Sequence, residues 1–386
     1  MNECKAFSIK QKISECIHDP KRLWKELKKL TSDCKNNVEY MEIDGKIIFD
    51  NLEVPNKFNE FSIKCVKEIN DSIVNISYEP PAGVSTFTWS EFKENSIDDM
   101  KEVLSKINTK TGLNNVNGKV IEMFMNNHPD IILNIFNESL RSGVAPSVWK
   151  YTVVSPIPKI KNSVKASDMR PINMAPSLDK VLQALVKKQL DEYIQNAKIL
   201  TRYQSAFRGK HSCETALNLV LNEWNHEKAT KKKIIAVFLD LKKAFETVDR
   251  TILLRVLKRY GFGGVVLEWF QSWLSNRVQI TSFCNVRSDA ISIEIGVPQG
   301  TPLSCPLFNL YVNDIVTVSE KCKLNLFADD ALLWVVADDL EEGIRLIKNG
   351  FRNIKRFLNM YKLRLNINKT KYILGILICS SLLALM

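Results

Sequence analysis

Two adjacent carboxylates, Asp329 and Asp330, stand between the apolar runs Leu324–Phe327 and Ala331–Ala337. Both runs are short and strand-compatible, so the pattern predicts a β-hairpin with the acids at its tip. Neighbouring aspartates repel each other, and apolar surroundings make an unpaired charge costly. A divalent cation removes that cost, and Mg²⁺ favours carboxylate oxygens together with substrate phosphates. An exposed acidic turn is the plainer alternative. A further acid, Asp240, follows the apolar run Ile234–Leu239, which reads as a buried strand delivering it at its carboxyl end. Leu241–Asp249 then forms a turn leading into a helix. A Gly/Pro-rich loop, Gly296-Val-Pro-Gln-Gly-Thr-Pro-Leu-Ser-Cys-Pro-Leu-Phe308, opens another helix.

The elements that must carry these residues follow from composition and periodicity. With 386 residues, 45% of them hydrophobic and 25% charged, the chain is globular and long enough for two or three structural units. Its net charge of +11 suits a polyanionic partner, although positive charge also serves solubility. The nine cysteines occur singly, without a Cys-x-x-Cys pair or a cluster with the four histidines, which argues against a zinc site or a disulfide framework. Reduced thiols fit a nuclear or cytoplasmic protein. Met1–Lys5 does not read as the start of a signal peptide. Tyr372–Met386 lacks charges but is shorter than the ~20 residues of a membrane helix, so no membrane partner is expected.

Residues 1–35 read as helical, with Asp19-Pro20 as a helix start. Asn36–Asp50 carries a turn at Gly45 between possible strands, and Asn51–Ile73 returns to helix with Phe58 and Phe61 on one face. Pro80-Pro81-Ala-Gly83 marks a linker within 78–86. Trp89–Ile107 is predicted as an amphipathic helix, and Val120–Leu140 as one or two more. Lys150–Ile157 alternates as a strand, a basic loop follows to Lys165, and Met169–Asn173 leads into a helix through Val181 and Leu185. Helices are expected over Thr251–Tyr260, Val265–Leu274 and Leu340–Leu358, and strands over Val278–Phe283 and Ile291–Val297.

Phe238-Leu-Asp-Leu-Lys-Lys-Ala-Phe245, Gly296-Val-Pro-Gln-Gly300 and Phe327-Ala-Asp-Asp330, in that order, resemble motifs A, B and C of the reverse transcriptases of non-LTR (LINE-type, jockey-like) retrotransposons. The resemblance implies catalytic, metal-binding roles for Asp240, Asp329 and Asp330, with two Mg²⁺ ions (Mn²⁺ as a substitute). It matches Lys159 and Arg170 to positions that touch the incoming triphosphate, and Phe245 to an aromatic gate beneath the sugar. Gln299 and Gly300 fall near the nucleotide, and Lys369, in a stretch resembling motif D, near the leaving pyrophosphate. Gln204-Ser-Ala-Phe-Arg-Gly-Lys-His-Ser212 resembles a further segment, with Ala206 replacing the usual glycine, and suggests Arg208 and Lys210 as nucleic-acid contacts. Glu246 stands where the family more often has Asp and is left out of the metal set.

The implied fold is α+β: right-hand polymerase fingers and palm, an antiparallel sheet backed by helices. The corresponding units are a helical extension and linker over 1–85, a helical segment over 86–148, fingers and palm over 149–375, and an apolar tail over 376–386. Too little chain follows Lys371 for a thumb, which would make this a truncated fragment. The implied activity is RNA-directed DNA polymerisation, with an RNA template, a DNA primer and dNTPs as partners. Two other readings stay open: a catalytically inactive nucleic-acid-binding remnant, and an RNA-templated RNA polymerase. Ala328 before Asp329 and the aromatic Phe245 argue against the latter. Oligomeric state is undetermined at this level.

Overall fold

The computed structural model describes residues 40–50, 52–79, 85–106, 118–229, 232–319 and 321–374. The helices expected within 1–35, the Pro80–Gly83 linker and the tail 376–386 lie outside them. At the amino-terminal end, β1 (Met41–Ile43) and β2 (Lys46–Ile48) flank a turn at Asp44 and Gly45, both with positive φ. The helix α1 (Glu53–Asp71) follows. Read from sequence as an extension, this segment is built into the fold: Phe58 joins Met41, Ile43, Val54, Val154, Ala166, Met169 and Phe283 in one buried cluster.

Asn59 fixes the seat of α1. Its Nδ2 donates to the carbonyls of Gln279 and Asp289 and to Ser288 Oγ, and its Oδ1 accepts from Gln279 Nε2 at 2.8 Å. Buried polar groups left unpaired are expensive, so Asn59→Ala should destabilise the fold by about 1–3 kcal/mol. Urea unfolding measures this, and an unchanged midpoint would show that apolar contacts alone hold the helix.

The helix expected over Trp89–Ile107 is shorter, α2 (Ile97–Lys106). Trp89 instead lies extended, its N–H donating to Gly261 O at 2.8 Å and its carbonyl accepting from Gly263 N at 3.0 Å. Ser96 then starts the helix, with Ser96 Oγ accepting from Asp99 N and Asp99 Oδ2 accepting from Ser96 N. Two helices follow as expected, α3 (Gly118–Asn127) and α4 (Pro129–Ser142), the latter with Pro at its start and Gly143 in the left-handed region at its end.

The remaining elements, in chain order, are β3 (Tyr151–Pro158), β4 (Met169–Met174), α5 (Ser177–Asn196), α6 (Cys213–Ala229), β5 (Lys233–Leu239), α7 (Arg250–Arg259), α8 (Gly264–Leu274), β6 (Arg277–Phe283), β7 (Val286–Arg287), β8 (Ile291–Ile293), α9 (Ser304–Val312), β9 (Lys323–Phe327), β10 (Asp330–Ala337), α10 (Leu340–Met360) and β11 (Lys371–Leu374). The expected antiparallel sheet is present, in the order β11-β5-β10-β9. One face packs on α10 through Ile235, Leu333, Val335, Ile347 and Ile354, and the other on α6 through Trp224 and Trp334. A mixed α+β arrangement results.

A second sheet joins β4, β3, β6 and β7, with β8 also on β6. Here β3 runs parallel to β6, a pairing the sequence did not suggest because 118 residues lie between the end of one strand and the start of the other, with no βαβ signal between them. The strand expected over Ile291–Val297 stops at Ile293. An arginine side chain takes the carbonyls that a neighbouring strand would otherwise engage.

Candidate active site

Antiparallel pairing sets Leu239 opposite Ala331, so Asp240 and Asp330, one step further, emerge side by side at the strand ends. A central strand must be apolar on both faces; Ile234–Ala236 and Leu239 are buried, and the first charge after them falls where the sheet stops. Asn366 secures Asp240, its Nδ2 donating to Asp240 Oδ2 at 2.6 Å and its N–H to Asp240 O at 2.8 Å. Lys369 Nζ stands 3.7 Å from the same carboxylate oxygen. Asp240, Asp330 and Lys369 line one open cleft of about 480 Å³.

Ala328 and Asp329 form the two-residue turn between β9 and β10, since Phe327 pairs with Asp330. Ala328 is left-handed at φ 57°, a strained setting for a residue with a Cβ. Buried Gln204 over-determines it: its Oε1 accepts from Ala328 N at 3.2 Å and from Ala206 N at 3.1 Å. Leu326 meanwhile exchanges backbone hydrogen bonds with Tyr203 and Ser205, adding a short edge to the sheet. The turn that presents Asp329 is thus held from a segment more than a hundred residues away.

Electrostatics couple the acids. Burial raises the pKa of Asp329 and the charge of Asp240 adds to it, while Arg170 and Lys369 oppose. Asp330 is raised by burial and then by Asp329 and Asp240. Carboxylates that resist ionisation for this reason are suited to a divalent cation, which reverses the cost. Among the described residues no group of three or more His, Cys, Asp or Glu side chains is clustered closely enough to hold a metal. Asp330 is exposed, while Asp240 and Asp329 are half-buried.

Cations face these acids from the β3–β4 hairpin. Ile157 pairs with Arg170, and Lys159 follows β3, its N–H donating to Asp168 O at 2.8 Å. Desolvation lowers the pKa of Lys159, and the charges of Lys243, Lys369 and Arg170 lower it further. Four cations therefore converge on one space beside the carboxylates. Lys243 was not singled out from sequence. Glu246, left out of the metal set, also borders this space: burial raises its pKa, Lys243 and Lys159 oppose, and Asp329 adds repulsion.

The loop before α9 is fastened to the loop after Asp240. Gly296 N donates to Val248 O at 2.7 Å and Val297 N to Phe245 O at 2.9 Å. Only glycine fits at 296, where φ is +83° and a Cβ would lie 2.5 Å from Glu246 O. Phe245 is 7% exposed and its ring lies 4.7 Å, centroid to centroid, from Phe308. Gln299 O accepts from Asn173 N at 3.2 Å, which ties the loop to β4. Its side-chain Oε1 is buried with no hydrogen-bond partner among the described residues, and Gly300 beside it is exposed at φ +96°.

Arg208 and Lys210 lie on the segment that carries Gln204. Arg208 Nη1 donates to the carbonyls of Thr201 and Gln204 at 2.8 and 3.0 Å, bracing the loop that carries Gln204. Lys210 is exposed. Asn366, Gln204 and Lys243 are the site residues that sequence reasoning missed. Asn366 and Gln204 are uncharged amides, which give no local sign of what they will hold, and Lys243 reads like any other lysine of a charged turn.

The family described as "Reverse transcriptase (RNA-dependent DNA polymerase)" matches residues 157–379. The RNA-directed DNA polymerase from mobile element jockey of Drosophila melanogaster is 26% identical over 247 residues, covering 63% of this chain and 27% of the relative. The probable RNA-directed DNA polymerase from transposon BS of the same species is 25% identical over 61% of this chain and 27% of its own length. A retrovirus-related Pol polyprotein from type-1 retrotransposable element R2 of Popillia japonica is 26% identical, covering 61% of this chain and 34% of its own. The chain thus spans about a quarter to a third of the length of these relatives.

Proposed function

The chain belongs to the reverse transcriptase (RNA-dependent DNA polymerase) family, similar to the enzymes of jockey-like non-LTR retrotransposons, and on that premise we propose that it copies an RNA template into DNA. The observation that carries the reading is the meeting of Asp240, at the end of β5, with Asp329 and Asp330 at the β9–β10 turn, faced by Lys159 and Arg170 on a hairpin. In this reading the antiparallel sheet with α10 is the palm and the β3–β4 hairpin belongs to the fingers.

The primer 3′-hydroxyl attacks the α-phosphate of a dNTP, a P–O bond forms, and pyrophosphate leaves. Two Mg²⁺ ions held by Asp240 and Asp329, with Asp330 in support, would activate the hydroxyl and stabilise the leaving group. Lys159 and Arg170 neutralise the triphosphate, whose charge shifts toward the leaving oxygens. Lys369, already beside Asp240, is placed to give a proton to pyrophosphate. The buried, unpartnered Gln299 Oε1 and exposed Gly300 offer a polar acceptor and close backbone approach to the nucleotide. Phe245 closes the floor beneath the sugar, and Lys210 meets template phosphate, on a loop that Arg208 braces.

The test is extension of a labelled DNA primer on an RNA template with Mg²⁺ and either dNTPs or rNTPs. Extension with dNTPs alone is expected; preference for rNTPs would favour an RNA polymerase, and binding without extension a silent remnant. Binding itself should weaken steeply with salt, because the converging cations release counterions from the backbone. For six or more phosphate contacts the loss is about a thousandfold between roughly 50 and 200 mM salt. A flat isotherm would leave the net charge without a nucleic-acid role.

A further inference from the structure

Arg250 opens α7, directly after the loop that follows Asp240, and its side chain turns away from solvent. Its Nε donates to Gly296 O at 2.9 Å, Nη1 to Ile293 O at 2.8 Å and Nη2 to Ile295 O at 3.2 Å. One guanidinium therefore grips three carbonyls of the segment that leads into Gln299 and Gly300. Asp249, the preceding residue, reaches the far end of the same segment: its N–H donates to Tyr311 Oη on α9 at 3.3 Å, while its carboxylate caps α7 by accepting from Ile252 N. Between these two holds lie the backbone bonds Gly296 N to Val248 O and Val297 N to Phe245 O. The two residues at the start of α7 thus clasp the 293–311 stretch at both ends.

We propose that Arg250 is a positioning residue for nucleotide binding, locking the Gln299–Gly300 loop to the Asp240–Phe245 loop so that both meet the nucleotide as one rigid unit. The inference rests on the polymerase reading for its effect on nucleotides, but not for the clamp itself. An arginine suits the task because its planar fork presents diverging N–H groups, which a lysine ammonium at a single nitrogen cannot spread over three acceptors. Burial lowers the pKa of Arg250, Arg277 adds repulsion and Glu294 opposes, so the carbonyls carry the compensation of a cation taken out of water. Without the clamp the segment has no strand partner there, since β8 ends at Ile293.

The experiment compares R250K and R250A with the parent chain in two assays. The first is amide hydrogen exchange without substrate, read at Gly296 and Val297. The second is steady-state primer extension, read as KM for dNTP against kcat. R250K should fold, speed exchange at both amides about tenfold, and raise KM about tenfold with kcat within threefold. R250A should show the same pattern, larger. Parent-like exchange and KM in folded R250K would overturn the proposal, as would a lowered unfolding midpoint with both readouts unmoved. If the parent chain fails to extend a primer, the polymerase reading fails, and the exchange arm alone still decides whether Arg250 holds the loop.

Discussion

Asp329→Asn is expected to reduce primer extension by several orders of magnitude while leaving primer–template binding nearly intact, with Asp240→Asn behaving alike. Each change removes one negative charge from the pair and leaves size and shape almost unaltered, so the loss falls on the transition state, not on backbone contacts with nucleic acid. Stability should move the other way. Burial and the charge of Asp240 raise Asp329 above its ordinary pKa, so folding favours its protonated form. A group of this kind costs stability progressively as pH rises from the unfolded value, about 3.9, through the raised folded value. An asparagine never ionises and escapes that cost. Without metal near pH 7, D329N should therefore unfold at the same temperature as the parent or a higher one. Near-parental extension by D329N would sink the two-metal assignment; a fall in unfolding temperature would sink the electrostatic account of the pair.

Phe245→Ala should admit ribonucleotides far better than the parent. If the ring fills the space under the sugar, removing it forfeits about 1–3 kcal/mol of discrimination, or roughly 10- to 200-fold in the ratio of dGTP to GTP incorporation efficiencies. The same change opens a hole beside Phe308, and large-to-small substitution of a core phenylalanine costs about 3–5 kcal/mol of stability. The two effects separate cleanly. Unfolded molecules incorporate neither nucleotide, so a ratio measured on the folded fraction is blind to destabilisation. A lower ratio assigns the ring to the sugar gate. An unchanged ratio with reduced stability would leave Phe245 as packing between the two loops.

Much of the site could be read from residue order. Ile234–Leu239 and Ala331–Ala337 are apolar enough to be central strands, and their ends put charges where burial must stop, so Asp240, Asp329 and Asp330 declared themselves locally. The Gly45 turn, α1, β3 and α10 followed from periodicity and turn chemistry for the same reason. The Trp89 stretch misled because its helical spacing is real, yet backbone bonds to Gly261 and Gly263 outweighed propensity and delayed the helix to Ile97.

What only the tertiary structure decided is the long-range hydrogen bonding that makes the acids a site. Nothing near Asn366 indicates that it will hold Asp240, nothing near Gln204 that it will steady the strained Ala328, and nothing near Arg250 that three carbonyls of another loop will absorb its charge. Sequence alone determined on which elements the candidate acids lie, because hydrophobic period and strand ends are local properties of the chain. Partner choice among polar side chains is not local. It is fixed by which groups packing strips of water together, since a buried donor or acceptor must find its match there or not fold at all.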